Sequence, residues 1–278
     1  MQKLVKKPNS MRHLDDAIRK MSGNTPQGYI QTRTVMANAI VAGMLPDGVI
    51  KGGSALKMRF GNENSRFTTD LDTATATDPK IYVNKLDETL QAGWEGFSGR
   101  IATKTPASPE GIPSKYIMKP YEIKLSYLGK PWCTVPLEVG HNEIGDADQI
   151  EWAKLSDAAE LFNKLGFPSP GEAPLMAISH QIAQKLHAAS SVGDRARDLV
   201  DLQLIERNCE INFIETKEAC VRLFAYRKAQ AWPPVVAEQP GWSNLYPEQA
   251  SGLPVLPDLD RAISWVNNFI KKIDETRR

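Results

Sequence analysis

Apolar residues recur at helical spacing in the first part of the chain. A set of four apolar residues at this spacing follows Ser10, a favourable N-cap residue, and predicts a helix over residues 10–22. A second helix is predicted over residues 26–44, because Thr25 can cap it and Pro26 suits its first turn. We therefore expect two helices before the first strand.

Period-two alternation follows, with Gly and Pro between the segments, and it indicates a sheet. A helix that begins at Pro79 interrupts these strands, and Gly129-Lys130 is typical of a hairpin turn. The predicted strands cover residues 49–50, 70–77, 97–104, 115–128 in part, and 132–139.

The pattern changes to helical spacing near residue 150, and the second half is predicted to be all-helical. The predicted helices cover residues 150–165, 173–191, 194–207, 215–230 and 259–273. Residues 232–258 are rich in Pro, Gly and aromatic residues and are predicted to form a long loop. We therefore predict one domain over residues 1–149 and a helical domain over residues 150–278.

Composition is that of a soluble globular protein, because 41% of the 278 residues are hydrophobic and 24% are charged. The net charge of +1 does not by itself indicate a nucleic-acid-binding protein. The three cysteines lack the spacing of a zinc site or a disulfide framework. No apolar core of a signal peptide follows the basic residues at the N-terminus, and the longest apolar stretch, near residues 36–45, is too short to span a bilayer. A cytoplasmic location without membrane association is therefore expected.

One stretch carries candidate chemistry. Asp70 and Asp72 flank Leu71 on a predicted strand, so both carboxylates should share one face while Leu71 is buried. Two adjacent carboxylates repel each other unless a cation neutralises them, and Mg²⁺ suits such an all-oxygen site. Gly53 and Ser54 lie in a glycine turn before a short helix, which is typical of a phosphate cradle. This combination indicates phosphoryl or nucleotidyl transfer.

These residues resemble a known family. The order Gly-Ser, a gap and Asp-x-Asp is similar to that of the DNA polymerase β-like nucleotidyltransferase superfamily, and the longer strings resemble the AbiEii/AbiGii toxin family, which includes the MenT toxins. The matching strings are Lys51-Gly52-Gly53-Ser54-Ala55-Leu56 and Arg66-Phe67-Thr68-Thr69-Asp70-Leu71-Asp72. The implied fold is α+β, with a polymerase β-like mixed-sheet domain, flanking helices, and a helical domain that completes the active-site cleft.

The resemblance implies a third carboxylate on a neighbouring strand, which would complete the metal site and help to deprotonate the attacking hydroxyl. Glu138 is the preferred candidate because it lies between two apolar residues on the returning strand, and Glu122 is the alternative. The implied metal ligands are therefore Asp70, Asp72 and Glu138, for Mg²⁺ or Mn²⁺.

A second segment in the helical half also resembles the family. It runs from Lys185-Leu186-His187-Ala188 through Arg195 to Arg197-Asp198-Leu199-Val200-Asp201-Leu202. The resemblance implies that Lys185 balances triphosphate charge and that Asp198 orients Lys185 or holds the acceptor. An intrahelical salt-bridge face is the alternative explanation of these charges.

The resemblance further implies an NTP-dependent, pyrophosphate-releasing toxin of a toxin–antitoxin or phage-defence system, with a cognate antitoxin. Its acceptor would be RNA, the tRNA 3′ end, and its effect a block of translation. Gly53, Ser54, Lys51, Arg66 and Lys185 are the implied nucleotide-binding residues.

Two alternatives remain open at this level. The acceptor could be a protein or a small molecule, or the chain could be a non-catalytic nucleotide- or RNA-binding module. The stretch over residues 217–228 mixes cations with aromatic residues, which indicates either an RNA contact or an ordinary amphipathic helix.

Overall fold

The computed structural model describes residues 6–105 and 118–277, and within these ranges it contains ten helices and a seven-stranded sheet. The chain forms two units. The first comprises residues 6–61, 67–105, 118–142 and 150–175, and the second comprises residues 62–66, 143–149 and 176–277. The predicted α+β class, a mixed sheet with flanking helices and a helical part, is confirmed.

The first unit begins with the two predicted helices. The Ser10 hydroxyl accepts a hydrogen bond from the His13 N–H at 3.2 Å, and the Thr25 hydroxyl accepts one from the Gly28 N–H at 3.1 Å. Both caps therefore act as the sequence predicts. The helices of this unit are α1 (Met11–Met21), α2 (Pro26–Ala42), α3 (Gly52–Phe60), α4 (Pro79–Ala92) and α5 (Ser156–Lys164).

The sheet has the strand order β3-β4-β5-β2-β1-β7-β6. Strand β1 is antiparallel to β2 and parallel to β7, and β2 is parallel to β5. The mixed sheet thus brings β1, β2 and β5 together at its centre. The strands are β1 (Val49–Lys51), β2 (Leu71–Thr75), β3 (Phe97–Thr103), β4 (Lys119–Tyr127), β5 (Lys130–His141), β6 (Ile150–Lys154) and β7 (Glu172–Met176).

The predicted hairpin is confirmed as antiparallel β4 and β5. Leu128 and Gly129, with φ of 48° and 72°, form its two-residue turn. Left-handed backbone at both positions is the geometry that matches the twist of a tight hairpin. Residues 115–117 of the predicted strand lie outside the described residues.

The helices predicted to begin at residues 150 and 173 are wrong at their starts, because β6 and β7 occupy these positions and join the sheet. In β6 the exposed residues Ile150, Trp152 and Lys154 alternate with two less exposed ones, a pattern of period two at the sheet edge. Strand β7 pairs with β1 at Ile50 and Leu175. The sheet therefore extends past the single boundary predicted at residue 150.

The second unit is helical, as predicted, but its long loop contains a helix. Trp242 and Tyr246 lie one turn apart and are fully buried, so helix α9 forms despite Pro247 within it. The Tyr246 hydroxyl also donates to the Leu256 carbonyl at 2.6 Å. The helices of this unit are α6 (Ile178–Ala189), α7 (Ala196–Asn208), α8 (Phe213–Arg227), α9 (Trp242–Ala250) and α10 (Leu259–Glu275).

Aromatic side chains fill much of the core of the first unit. The Phe97 ring on β3 lies 4.7 Å from the ring of Tyr127 on β4 and 5.2 Å from that of Trp132 on β5. Phe162 on α5 and Phe167 complete this cluster. Their burial fixes the strands that present the candidate site.

Across the described ranges, no helix combines the length and apolar character needed to cross a membrane.

Candidate active site

Strands β1, β2 and β5 align three charged residues in one row across the sheet. Lys51 pairs with Asp72 between β1 and β2, and Asp72 pairs with Glu138 between β2 and β5. Directly paired residues send their side chains to the same face, so all three side chains lie on one face of the sheet. Asp70 lies two positions before Asp72, and Leu71 between them is fully buried, as the alternation predicts.

A glycine turn joins β1 to α3 beside this row. Gly52 has a φ of +66°, and a Cβ at this position would lie 2.4 Å from Asp72 Oδ2. Both the left-handed conformation and the close approach require glycine. The N-cap residue Lys51 makes no side-chain hydrogen bond to the first turn of α3. An N-terminus without a side-chain cap is suited to bind an anion such as phosphate.

Two hydrogen bonds position Asp70. The buried Ser54 hydroxyl donates to the Asp70 backbone carbonyl, and the Thr69 hydroxyl donates to Asp70 Oδ1 at 3.0 Å. Ser54 thus connects the first turn of α3 to the segment that carries Asp70. Its role as a phosphate ligand stays a prediction.

The Lys51 side chain lies near β5 on the same face of the sheet. Lys51 is only 8% exposed, and a Cβ at Gly140 would lie 3.1 Å from its Nζ. Gly140 follows Glu138 by two positions, so it shares the face of Glu138. The Lys51 charge therefore lies on the face that carries Asp72 and Glu138, where it opposes their mutual repulsion. A direct contact of Lys51 with nucleotide stays a prediction.

Mg²⁺ and Mn²⁺ require oxygen donors from this face of the sheet. Within residues 6–105 and 118–277, no group of three or more His, Cys, Asp or Glu side chains is arranged to hold a metal ion. The adjacent pair Asp72 and Glu138 is the part of the predicted set that the strand register brings together. Mg²⁺ commonly binds one or two carboxylates and completes its shell with water and substrate phosphates, so this pair fits it. Metal ligation by Asp70 stays a prediction.

The register also separates the two candidates for the third carboxylate. Glu122 on β4 pairs with Pro136 on β5, whereas Glu138 pairs with Asp72. The Glu122 carboxylate accepts a hydrogen bond from Lys124 Nζ at 2.6 Å and lies 3.3 Å from Lys104 Nζ. These two lysines lower the pKa of Glu122. Glu138, and not Glu122, is therefore the neighbour of Asp72.

The second unit contains a buried network of charges on α6 and α7. Lys185 Nζ donates to Asp198 Oδ1 at 3.2 Å and to Asp201 Oδ2 at 2.5 Å. Arg66 donates to both carboxylate oxygens of Asp201, at 2.8 Å each, and to the Gln249 side chain at 3.1 Å. The predicted residues Lys185, Asp198 and Arg66 thus belong to one network, and Asp201 joins them.

The network is electrically balanced. Burial opposes ionisation of Asp201, but the charges of Lys185 and Arg66 outweigh it and lower the pKa of Asp201 to about 2. Burial by itself would lower the pKa of Lys185. The negative charges of Asp201 and Asp198 outweigh this effect, so the pKa of Lys185 is raised. Asp201 and Lys185 are therefore both charged at neutral pH.

The alternative, a salt-bridge face among Asp194, Arg197, Asp198 and Asp201, is not supported, because in the described part of the chain Arg197 forms no ion pair with these aspartates. Arg195, the N-cap residue of α7, lies 3.9 Å from Asp198.

Two residues of these arrangements are absent from the predicted site. Gly52 is adjacent to Gly53, but only the backbone geometry shows that it is the glycine in contact with Asp72. Asp201 is visible in the sequence three positions after Asp198, which indicates a shared helix face. Its bidentate partner Arg66 lies 135 positions away along the chain, so no local pattern reveals the pair.

The cations of α8 are largely bound by the second unit itself. Lys217 donates to the carbonyls of Asp274 and Thr276, and Arg222 donates to the carbonyl of Ile144. Arg227 and Glu143 form an ion pair at 2.5 Å. These contacts favour the interpretation of residues 217–228 as a packed amphipathic helix.

Comparison with known proteins identifies a family. Residues 36–265 match the family model described as nucleotidyl transferase AbiEii toxin of type IV toxin–antitoxin systems. No curated protein sequence matches the chain.

Solved structures show a similar fold. MenT4, a nucleotidyltransferase toxin from Mycobacterium tuberculosis H37Rv, has a TM-score of 0.54 at 16% identity, over 94% of this chain and 96% of that one. JHP933 from Helicobacter pylori has a TM-score of 0.48 at 15% identity, over 90% and 92% of the two chains. The predicted α+β fold is therefore confirmed by its likeness to the structure of a nucleotidyltransferase toxin. Because the family model matches more than half of its residues, the chain belongs to the AbiEii family of nucleotidyltransferase toxins from type IV toxin–antitoxin systems.

Proposed function

We propose that this protein uses Mg²⁺ or Mn²⁺ to transfer NMP from an NTP to an RNA acceptor, the 3′ end of tRNA, and so blocks translation. The alignment of Asp72 with Glu138, beside the first turn of α3, carries this proposal. Such a turn suits the phosphates of the NTP, and the carboxylate pair suits the metal that neutralises them. A tRNA acceptor implies action in the cytoplasm.

In the proposed reaction the acceptor hydroxyl oxygen attacks the α-phosphorus of the NTP. The bond from this phosphorus to the bridging oxygen breaks, and pyrophosphate leaves. Glu138 helps to remove the proton of the attacking hydroxyl. Gly53, Ser54 and the first-turn N–H groups of α3 hold the β- and γ-phosphates. When bound at Asp72 and Glu138, with Asp70 beside them, Mg²⁺ supplies neutralisation of the charge on the leaving group.

The residues of the second unit act as positioning residues in this proposal. Lys185, Asp198 and Arg66 are engaged with one another through Asp201. They hold α6, α7 and the segment over residues 62–66 in a fixed arrangement within that unit. The family assignment supports a cognate antitoxin as a further partner.

Labelling with nucleotide tests the chemistry and the acceptor together. The purified protein and its Asp70→Ala/Asp72→Ala variant are incubated with Mg²⁺, total tRNA and each α-³²P-labelled NTP in turn, and RNA and protein are separated on gels. We expect label in tRNA with the wild type and none with the variant. Absence of label from every acceptor with every NTP would contradict the proposal and favour a non-catalytic binding module.

Transfer to a protein or a small molecule is the second candidate. It is favoured by the contacts of α8, because three of its cations are bound within the second unit and are less free to contact RNA. The same experiment separates the two acceptors. Label that enters protein or a small product, while tRNA stays unlabelled, would support the second candidate.

A further inference from the structure

Lys57 lies on the face of α3 that carries the phosphate cradle. It follows Gly53 by four positions, and an α-helix has about 3.6 residues per turn, so the two residues lie one above the other. Helical side chains lean toward the N-terminus, which directs Lys57 back over the first turn. Lys57 therefore shares the face of α3 that carries Gly53.

The loop before Asp70 covers the same face of α3. A Cβ at Gly53 would lie 3.5 Å from Thr68, and the Lys57 Nζ lies 5.5 Å from the centre of the Phe67 ring. Consecutive loop residues thus contact consecutive turns of the helix. Phe67 remains 39% exposed, so this part of the surface is open to solvent.

The ammonium of Lys57 has no acidic partner among the described residues. Within the described ranges its ammonium makes no hydrogen bond or ion pair, and Phe67 provides a cation–π contact. Burial lowers the pKa of Lys57, and the charge of Asp157 only partly opposes this effect. An anion at the cradle would therefore stabilise the charged form of Lys57.

The lysine that the family resemblance assigns to the triphosphate is in a different situation. Lys185 is 7% exposed, and its charge is balanced by Asp198 and Asp201. Lys51 lies in the row of Asp72 and Glu138. Of these three lysines, Lys57 combines a position on the Gly53 face of α3 with a charge that no acidic side chain of the described residues contacts.

We propose that Lys57 binds the terminal phosphates of the NTP and that Phe67 holds its ammonium over the first turn of α3. This inference rests on the proposed function, because it names a ligand of the same nucleotide site. A lysine ammonium offers three donors to phosphate oxygens, and its aromatic neighbour restricts the number of side-chain conformations.

Binding of inorganic tripolyphosphate tests the inference without turnover. Titration calorimetry in the presence of Mg²⁺ compares the full-length wild type with Lys57→Met, Lys57→Arg and Phe67→Leu. Loss of a hydrogen bond to a charged group should weaken binding about 10- to 100-fold in Lys57→Met. Lys57→Arg should stay within about threefold of the wild type, because it keeps the charge. Phe67→Leu should show an intermediate loss.

Lys164→Met is the matched control, because Lys164 pairs with Glu160 on the exposed surface of α5. It should bind tripolyphosphate as the wild type does, and all variants should keep the melting temperature of the wild type. An unchanged affinity in Lys57→Met, or an equal loss in Lys164→Met, would overturn the inference.

Transfer assays separate failure of this inference from failure of the proposed function. If the enzyme transfers nucleotide and Lys57→Met leaves the KM for NTP unchanged, the inference is wrong and the proposed function stands. If no transfer occurs but Lys57→Met still weakens tripolyphosphate binding, the inference holds and the proposed function is wrong.

Discussion

Asp72 on β2 lies directly opposite Glu138 on β5 in the parallel register of the central sheet. The two residues are 66 positions apart in the sequence numbering, and the pairing of two strands makes them neighbours. Two adjacent carboxylates on one face are unfavourable without compensating positive charge. Their alignment therefore needs compensating positive charge, and Lys51 in the same row supplies part of it.

Alanine should destabilise the protein at Gly52 but not at Gly53. Gly52→Ala places a Cβ 2.4 Å from Asp72 Oδ2 at a left-handed φ, so it should displace the carboxylate and lower stability by roughly 1–2 kcal/mol. Gly53→Ala meets Thr68 at 3.5 Å, an ordinary contact, and should leave stability unchanged or raise it by up to about 1 kcal/mol. Urea unfolding gives the change in the free energy of unfolding for each variant. Equal destabilisation by the two changes would contradict the conclusion that the backbone requires glycine at Gly52 and not at Gly53.

Removal of Asp201 should destabilise the protein strongly. Asp201→Ala leaves Lys185 and Arg66 buried without their shared carboxylate, and loss of one partner of a buried ion pair costs about 3–5 kcal/mol. Glu210→Ala, at an exposed position just after α7, is the control and should change stability by less than about 0.5 kcal/mol. Chemical denaturation compares them. A loss below about 1 kcal/mol in Asp201→Ala would contradict this prediction, because it would show that the network stabilises the protein no more than an exposed ion pair does.

Protonation of His187 should destabilise the fold in mild acid. Burial and the charge of Arg227 lower the pKa of His187 from 6.5 to about 4. Between these values the unfolded chain binds a proton that the folded protein does not, so stability should fall as the pH decreases from 6.5 to 4.

The slope from one such group is at most about 1.4 kcal/mol per pH unit. His187→Gln should flatten the dependence of the unfolding free energy on pH, whereas His13→Gln, at an exposed position on α1, should not. An unchanged slope in His187→Gln would show that other groups cause the acid sensitivity.

The sequence predicts the elements whose signals are local. Ser10 and Thr25 cap the first two helices, and Gly129 marks the hairpin, because each of these residues acts on its own neighbours. The burial of Leu71 is equally local, since strand alternation alone predicts it.

The remaining features depend on partners far along the chain. Strand β7 is short and apolar, and only its pairing with β1 through Ile50 makes it a strand rather than the start of α6. The ion pair of Arg66 with Asp201 joins a loop to a helix 135 positions later. Such pairs arise from tertiary packing, which no local period encodes.

Comparison of Glu138→Gln with Glu122→Gln tests the central claim most directly. Both changes remove one carboxylate from neighbouring strands, but only Glu138 lies beside Asp72. The measurement is NTP-dependent pyrophosphate release with total tRNA as acceptor. We predict that Glu138→Gln lowers kcat by at least about 100-fold, as loss of a catalytic carboxylate does, while Glu122→Gln stays within about threefold of the wild type. Equal activity of the two variants, or a larger loss in Glu122→Gln, would contradict the assignment of this face of the sheet as the active site.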